Sequence, residues 1–291
     1  MILRACGPLD FGVMYDFMEH QEDCLYRTKD KKVRRAEIFD GRRVLFEVSE
    51  SAEPDAVEVE ILHDEGAGER MVSEYVADWF DLDYDLERFY TFARRDRRFE
   101  TVTREYYGFR MLSYVNITDV LVWSIIGQQI NMKFAFELKR RLVEYFGHFI
   151  EYEGKKYWII PNAGELLTLT VEDMREMQIS RRKAEYILAC AEGVQNGSLS
   201  KEYLQGFDSY SRAKAHLTGV RGIGPWSANV VLMRTIKSRH AVPIGDAGLR
   251  NAFKITDGLN GKPDARYMED IISGWGQFGA YATLYMWRVL G

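Results

Sequence analysis

One stretch constrains this chain more than any other: His216-Leu217-Thr218-Gly219-Val220-Arg221-Gly222-Ile223-Gly224-Pro225-Trp226-Ser227-Ala228-Asn229. An apolar pattern of helical period ends near Thr218, and another begins at Pro225. Gly219, Gly222 and Gly224 permit a turn too tight for side chains, with positive φ open to each. Pro225 suits the first position of a helix, where its fixed φ fits and its missing N–H is no loss. The N–H groups of the turn and of the next helix's first turn then lack partners and converge, which is the makings of an anion site. A G-x-G between helices is by itself a common connection, so its surroundings must decide.

The formal net charge of -5 speaks against a nucleic-acid partner until its distribution is followed along the chain. Between Glu47 and Glu87 there are fifteen acidic residues and a single basic one, Arg70. From Ser209 to Lys254 the balance inverts, with Arg212, Lys214, Arg221, Arg234, Lys237, Arg239, Arg250 and Lys254 around one acid, Asp246. A surface facing phosphate needs local positive charge, which this segment has. Cys6, Cys24 and Cys190 are scattered, which suits neither a disulfide framework nor a C-x-x-C metal site. No run approaches the roughly 18 apolar residues of a membrane span, and the opening residues do not read as a signal peptide. A cytoplasmic protein is expected, associated with the nucleoid if its source is bacterial.

The organisation changes near residue 100. Val44 to Val48 and Val57 to Leu62 read as strands, with turns at Asp40-Gly41 and Asp64 to Gly68. Residues 1–100 are therefore expected to form a small α+β domain, and the arginine-rich segment from Asp85 to Val102 a basic helical connector. Beyond Gly108 helical periods dominate. Helix caps are expected at Thr118, Asn131, Thr170, Ser180 and Asp208, and a last helix runs through Tyr281 to Leu290. Residues 101–291 read as all-helical.

The ordered motifs GFRML, IIGQQIN, SRRKAEYI, GVRGIGPWSAN, VPIGDAGLR and WGQFGAYATLYMW, together with the basic surround, carry a resemblance. From about Gly108 to Gly291 the chain resembles the helix-hairpin-helix, Gly/Pro/Asp superfamily of DNA glycosylases, and more narrowly the DNA-3-methyladenine glycosylase II family. The resemblance implies two helical lobes with a cleft between them, behind an α+β N-terminal domain. It also implies a monomer acting on double-stranded DNA that contains a damaged base, here an alkylated purine flipped from the helix.

In that family the aspartate after the proline is catalytic, which points to Asp246 in Pro243-Ile244-Gly245-Asp246. Departure of a base builds positive charge on the sugar, and a nearby carboxylate stabilises that transition state more than the ground state. The plainer role for Asp246 is capping the helix that starts Ala247-Gly248-Leu249, and the two roles are compatible. Bifunctional relatives carry a lysine where this chain has Trp226, and an indole forms no Schiff base. No cysteine follows Cys190, which argues against the branch with a C-terminal iron-sulfur cluster.

Trp226 and Phe278 match base-stacking positions, although Phe278 also falls in a packing pattern with Trp275, Tyr281 and Tyr285. Val230 and Ala247 stand where well-known bacterial members have tyrosines, making the cleft less aromatic. The residue that fills the gap left by the flipped base maps to Gln129, with Ile130 as the alternative. Gly219, Gly222 and Gly224, with Arg221 and Lys214, are the expected phosphate contacts. The resemblance further implies a monovalent cation on the carbonyls of Thr218, Val220 and Ile223; no other cofactor is expected. Two alternatives stay open: a hydrolytic glycosylase for another lesion, and a non-catalytic protein that binds damaged DNA.

Overall fold

The computed structural model describes residues 1–291. Its main sheet has five antiparallel strands in the order β1-β5-β4-β3-β2, formed by β1 (Ile2–Arg4), β2 (Tyr26–Lys29), β3 (Lys32–Phe39), β4 (Arg42–Glu50) and β5 (Ala56–Asp64). Asp40 and Gly41 make the β3–β4 turn with φ of 49° and 78°, the left-handed pair that matches strand twist in two-residue hairpins. Val44, Leu45, Phe46 and Val48 of β4 are all buried, so both faces of the sheet are covered. One face packs on α1 (Phe11–Glu19) and α2 (Glu69–Trp79), through Val44, Phe46 and Val48.

The other face is covered by a feature that the sequence reading missed. Residues 101–291 are not all-helical: β6 (Phe149–Tyr152) and β7 (Lys155–Trp158) form a hairpin that reaches back to the sheet. Ile150, Tyr157 and Ile159 pack there against Ala36 and Leu45. Burying each large apolar side chain stabilises by about 2 kcal/mol, enough to override the helical context. Glu153-Gly154 supplies the turn, with φ of 51° and 70°.

The basic connector is helical as expected, and it is built into the core as well. It holds α3 (Leu86–Ala93) and α4 (Glu100–Glu105); Phe89 within α3 and Phe99 just before α4 are fully buried while Arg94, Arg95 and Arg97 face outward. The remaining helices are α5 (Ile117–Ile126), α6 (Met132–Phe146), α7 (Ala163–Leu166), α8 (Val171–Glu176), α9 (Arg181–Gln195), α10 (Lys201–Gln205), α11 (Tyr210–Thr218), α12 (Pro225–Arg234), α13 (Ala247–Thr256), α14 (Ala265–Ile272) and α15 (Gly279–Arg288). Asn131, Thr170 and Ser180 cap α6, α8 and α9. Two caps shift: Asn116 rather than Thr118 accepts from the first turn of α5, and Ser209 rather than Asp208 does so for α11. In each case the true cap is the residue with extended backbone, so its oxygen reaches forward to the free N–H groups.

A single apolar core runs from Leu9 to Met286 without a break between the sheet and the helices. Two buried ionic clusters sit along that junction. In one, the Lys139 ammonium on α6 lies 2.9 Å from Asp23 and 2.8 Å from Asp119. In the other, Asp81 is 1% exposed and takes both Arg239 nitrogens at 2.7 and 3.0 Å, Lys237 at 3.2 Å and the Tyr281 hydroxyl at 2.7 Å. Arg110, also buried, donates to the carbonyls of Asp81, Leu82, Pro8 and Cys6.

Burial alone would push the Asp81 carboxyl up, but the bonds and charge of Arg239, joined by Lys237, outweigh it and hold the carboxyl below the ordinary carboxylate range. Removing one partner of such a cluster strands the others. Asp81→Asn is expected to cost about 3 kcal/mol at neutral pH. A group with a depressed folded pKa contributes fully above its unfolded value and loses that contribution as pH falls through the folded one. Thermal unfolding should therefore separate wild type from Asp81→Asn near pH 7, and the gap should close in acid; an equal gap at every pH would sink this account.

Candidate DNA-binding cleft and active site

The turn between α11 and α12 has the geometry of a phosphate cradle. Gly222 alone takes positive φ, at 97°. Gly219 and Gly224 sit at -73° and -84°, so of the three glycines open to positive φ only one uses it. Gly222 is needed for space as well: a Cβ there would lie 2.3 Å from Cγ of Tyr186 on α9. Ile223 is buried beneath the turn and anchors it. The N–H groups of Arg221, Gly222, Gly224, Trp226 and Ser227 donate to no protein acceptor, leaving five donors at one end of α12.

Facing this hairpin is the turn Gly127–Asn131 between α5 and α6. The Gln128 amide donates to the Gly222 carbonyl at 2.9 Å and to Ser227 Oγ at 3.2 Å, tying the two turns together. Gln129 is left exposed at the tip with φ of 58°, and Ile130 is half-buried against the core. Between the turns and the start of α13 opens a cleft of about 1280 Å³, larger than the roughly 300–1,000 Å³ of small-molecule pockets. Arg182, Arg221 and Arg234 line it, against one acid, Asp246. The side chain of Arg221 is 69% exposed, pairs with Glu185 at 2.6 Å and leans over the Tyr186 ring.

Asp246 caps α13, as the plainer sequence reading had it, and faces the cleft as well. Its Oδ1 accepts from Leu249 N–H at 2.8 Å and from Trp287 Nε1 at 2.8 Å, and its Oδ2 accepts from Trp226 Nε1 at 3.2 Å. Gly245 before it takes φ of 96° and turns the chain into the helix. Trp226, Val230 and Ala247 line the cleft as expected.

Two expected site residues lie elsewhere. Phe278 is outside the cleft lining and stacks on Phe92 at 4.7 Å, because the chain kinks at Gly276 (φ 48°, ψ -125°) just before it. Trp275, Tyr281 and Tyr285 are buried in the same packing, so the core reading of that aromatic run is the right one. Lys214 is also outside the cleft and sits over the Tyr210 ring at 5.7 Å. Conversely, the sequence reading missed Gln128, Arg182, Tyr186 and Trp287, and from the N-terminal part Phe17 and Gln21, all of which line the cleft. The first four lie in motifs already singled out; Phe17 and Gln21 carry no local signal. No group of three or more His, Cys, Asp or Glu residues is arranged to hold a metal.

The hairpin gives a contrast between neighbouring glycines. Gly224→Ala meets nothing within 4 Å and should cost under about 1 kcal/mol. Gly222→Ala combines the clash with Tyr186 and a strained φ, and should cost more than about 2 kcal/mol while weakening DNA binding. Unfolding midpoints of the two variants test this, and equal losses would remove Tyr186 as the reason for the glycine.

Comparison with known proteins agrees with this geometry. The model of the HhH-GPD superfamily of base excision DNA repair proteins matches residues 122–277, and that of the 8-oxoguanine DNA glycosylase N-terminal domain matches residues 15–116. A DNA-3-methyladenine glycosylase of Bacillus subtilis is 36% identical over 93% of this chain and 90% of its own length. In fold, the chain is similar to the 3-methyladenine DNA-glycosylase of Archaeoglobus fulgidus, with a TM-score of 0.85 at 24% identity over 99% of this chain and 97% of that one. A Clostridium acetobutylicum 8-oxoguanine glycosylase/lyase in complex with double-stranded DNA gives a TM-score of 0.77 at 20% identity, covering 98% and 93%. The chain belongs to the HhH-GPD superfamily of base excision DNA repair proteins.

Proposed function

We propose that this chain is a monofunctional DNA glycosylase that hydrolyses the glycosidic bond of alkylated purines, of the 3-methyladenine and 7-methylguanine type, flipped out of duplex DNA. The observation that carries the reading is the Asp246 carboxylate, the single acid in an otherwise cationic cleft, held by three N–H donors beside a hairpin with free backbone donors. An acid so close to expected phosphates weakens binding unless it has a task, which disfavours the non-catalytic alternative. The similarity to the B. subtilis enzyme supports the choice of substrate class.

The hairpin donors and Arg221 grip the backbone, and Gln129, at the exposed tip opposite, fills the stack where the base has left, with Ile130 packed behind it. The cationic base stacks on Trp226. The C1′–N bond breaks with its electron pair going to the base, which departs neutral. Positive charge moves onto C1′ and the ring oxygen, where Asp246 stabilises it. A water oxygen then bonds C1′, and its proton passes to solvent. Trp226 in place of a lysine leaves no amine in the hairpin to attack the sugar, so the abasic strand stays uncut. The partner is double-stranded DNA containing the damaged base, and one site reading one flipped nucleotide works as a monomer. No helix of the chain is long and apolar enough to cross a membrane.

The carbonyls of Thr218 and Ile223 accept no hydrogen bond, and that of Val220 accepts one from Ile223 N–H at 3.0 Å. Neutral oxygens with no carboxylate among them fit a monovalent cation. Such an ion would brace the turn and add positive charge beside the phosphate.

The deciding assay is release of free base from methylated duplex. Wild type should release 3-methyladenine or 7-methylguanine, with strands cut only after alkali. Asp246→Asn should lose at least about 100-fold in rate while keeping its DNA affinity. No release from any lesion, despite tight binding, would overturn the proposal. In salt titrations, Arg221→Ala should weaken all duplexes alike and make the slope of log K against log salt shallower by about one. Lys214→Ala is the control off the cleft, and a changed slope there would return it to the interface.

A further inference from the structure

We infer that Trp287, on α15, is a positioning residue for the reaction: its indole N–H, with the Leu249 N–H, saturates Asp246 Oδ1, so that Oδ2 is the oxygen presented to the deoxyribose. This rests on the glycosylase reading above and deepens it.

A carboxylate offers two oxygens with about four lone-pair sites in all. Oδ1 is filled by two donors, each at 2.8 Å. Oδ2 receives only the longer 3.2 Å bond from Trp226, which leaves one direction open. The side chain is therefore fixed in rotation as well as in place. Charge that is already oriented stabilises a developing cation without reorganising during the reaction. The open direction on Oδ2 is the one that faces the reacting sugar, so the charge of Asp246 is aimed there.

The helix that carries the indole is tied down at its start. At the opening of α15, Ala280 N–H donates to the Arg239 carbonyl at 2.9 Å, and Arg239 is clamped on Asp81. At its far end the ring lies against the first turn of α13, where a Cβ on Gly248 would stand at ordinary contact distance, 3.4 Å, from Trp287 Cδ1. Trp287 lines the cleft but lies 41 positions from Asp246 in sequence, which is why sequence patterns do not connect them.

Trp287→Phe keeps an aromatic ring and deletes the N–H; Trp287→His keeps a ring N–H donor. Single-turnover release of 3-methyladenine and 7-methylguanine is measured for wild type and both variants, alongside Kd for a duplex with a tetrahydrofuran abasic-site analogue and the unfolding midpoint. The inference expects Trp287→Phe to lose about tenfold or more in rate with Kd within about twofold, and Trp287→His to recover part of the loss. Wild-type turnover by Trp287→Phe overturns it, as does a loss of rate accompanied by equal losses of DNA affinity and stability, which marks a merely structural ring. If wild type itself releases no base, the glycosylase reading fails and this inference falls with it; release by wild type with an unaffected Phe variant overturns the inference alone.

Discussion

Asp81 ties together parts of the chain that have to agree for the cleft to exist. It sits in a left-handed turn after α2, with φ of 51°, and its carboxylate gathers Arg239 and Lys237 from the segment leading to Asp246 and Tyr281 from the helix carrying Trp287. Both arms that meet at the Asp246 carboxylate are thus referenced to the N-terminal part. Desolvating an acid this deeply costs several kcal/mol, and the cluster offsets that cost only while every member is present. The Lys139 cluster works the same junction from the opposite side, joining α5 and α6 to Asp23 on the N-terminal part.

The charge asymmetry read along the sequence changes meaning in three dimensions. The acidic stretch from Glu47 to Glu87 is not simply a solvated negative face. Glu47 is buried between Lys32 and Arg34, Asp78 holds Lys201 and Lys237, and Glu65 pairs with Arg43. Several of these bases come from far along the chain. The basic segment likewise spends Lys237, Arg239 and Arg234 on internal contacts, the last on the Leu112 carbonyl, leaving fewer free cations at the cleft than a linear count suggests.

Most of the helical region was legible because its signals are local. Caps, glycines and a proline act within a few residues, so the α11–α12 hairpin, Pro225 at the head of α12 and Asp246 at the cap of α13 could be read directly. The β6–β7 hairpin escaped because its burial depends on Ala36 and Leu45, more than a hundred residues away. Trp287 and Gln128 escaped for the same reason, since what marks them is a partner across the cleft. Phe278 was misplaced because a helical period cannot register the kink at Gly276 that rotates everything after it.

The hairpin's grip is made of main chain. Its five free donors belong to Arg221, Gly222, Gly224, Trp226 and Ser227, yet none of those side chains supplies the N–H groups. Exchanging side chains one at a time leaves every donor in position unless the backbone itself is displaced, as at Gly222. Under the proposed function, the main-chain share of the grip, unlike that of the Arg221 side chain, is therefore invisible to alanine scanning. A cradle of main-chain donors that holds a phosphate reads the strand's backbone and carries no information about the bases beside it.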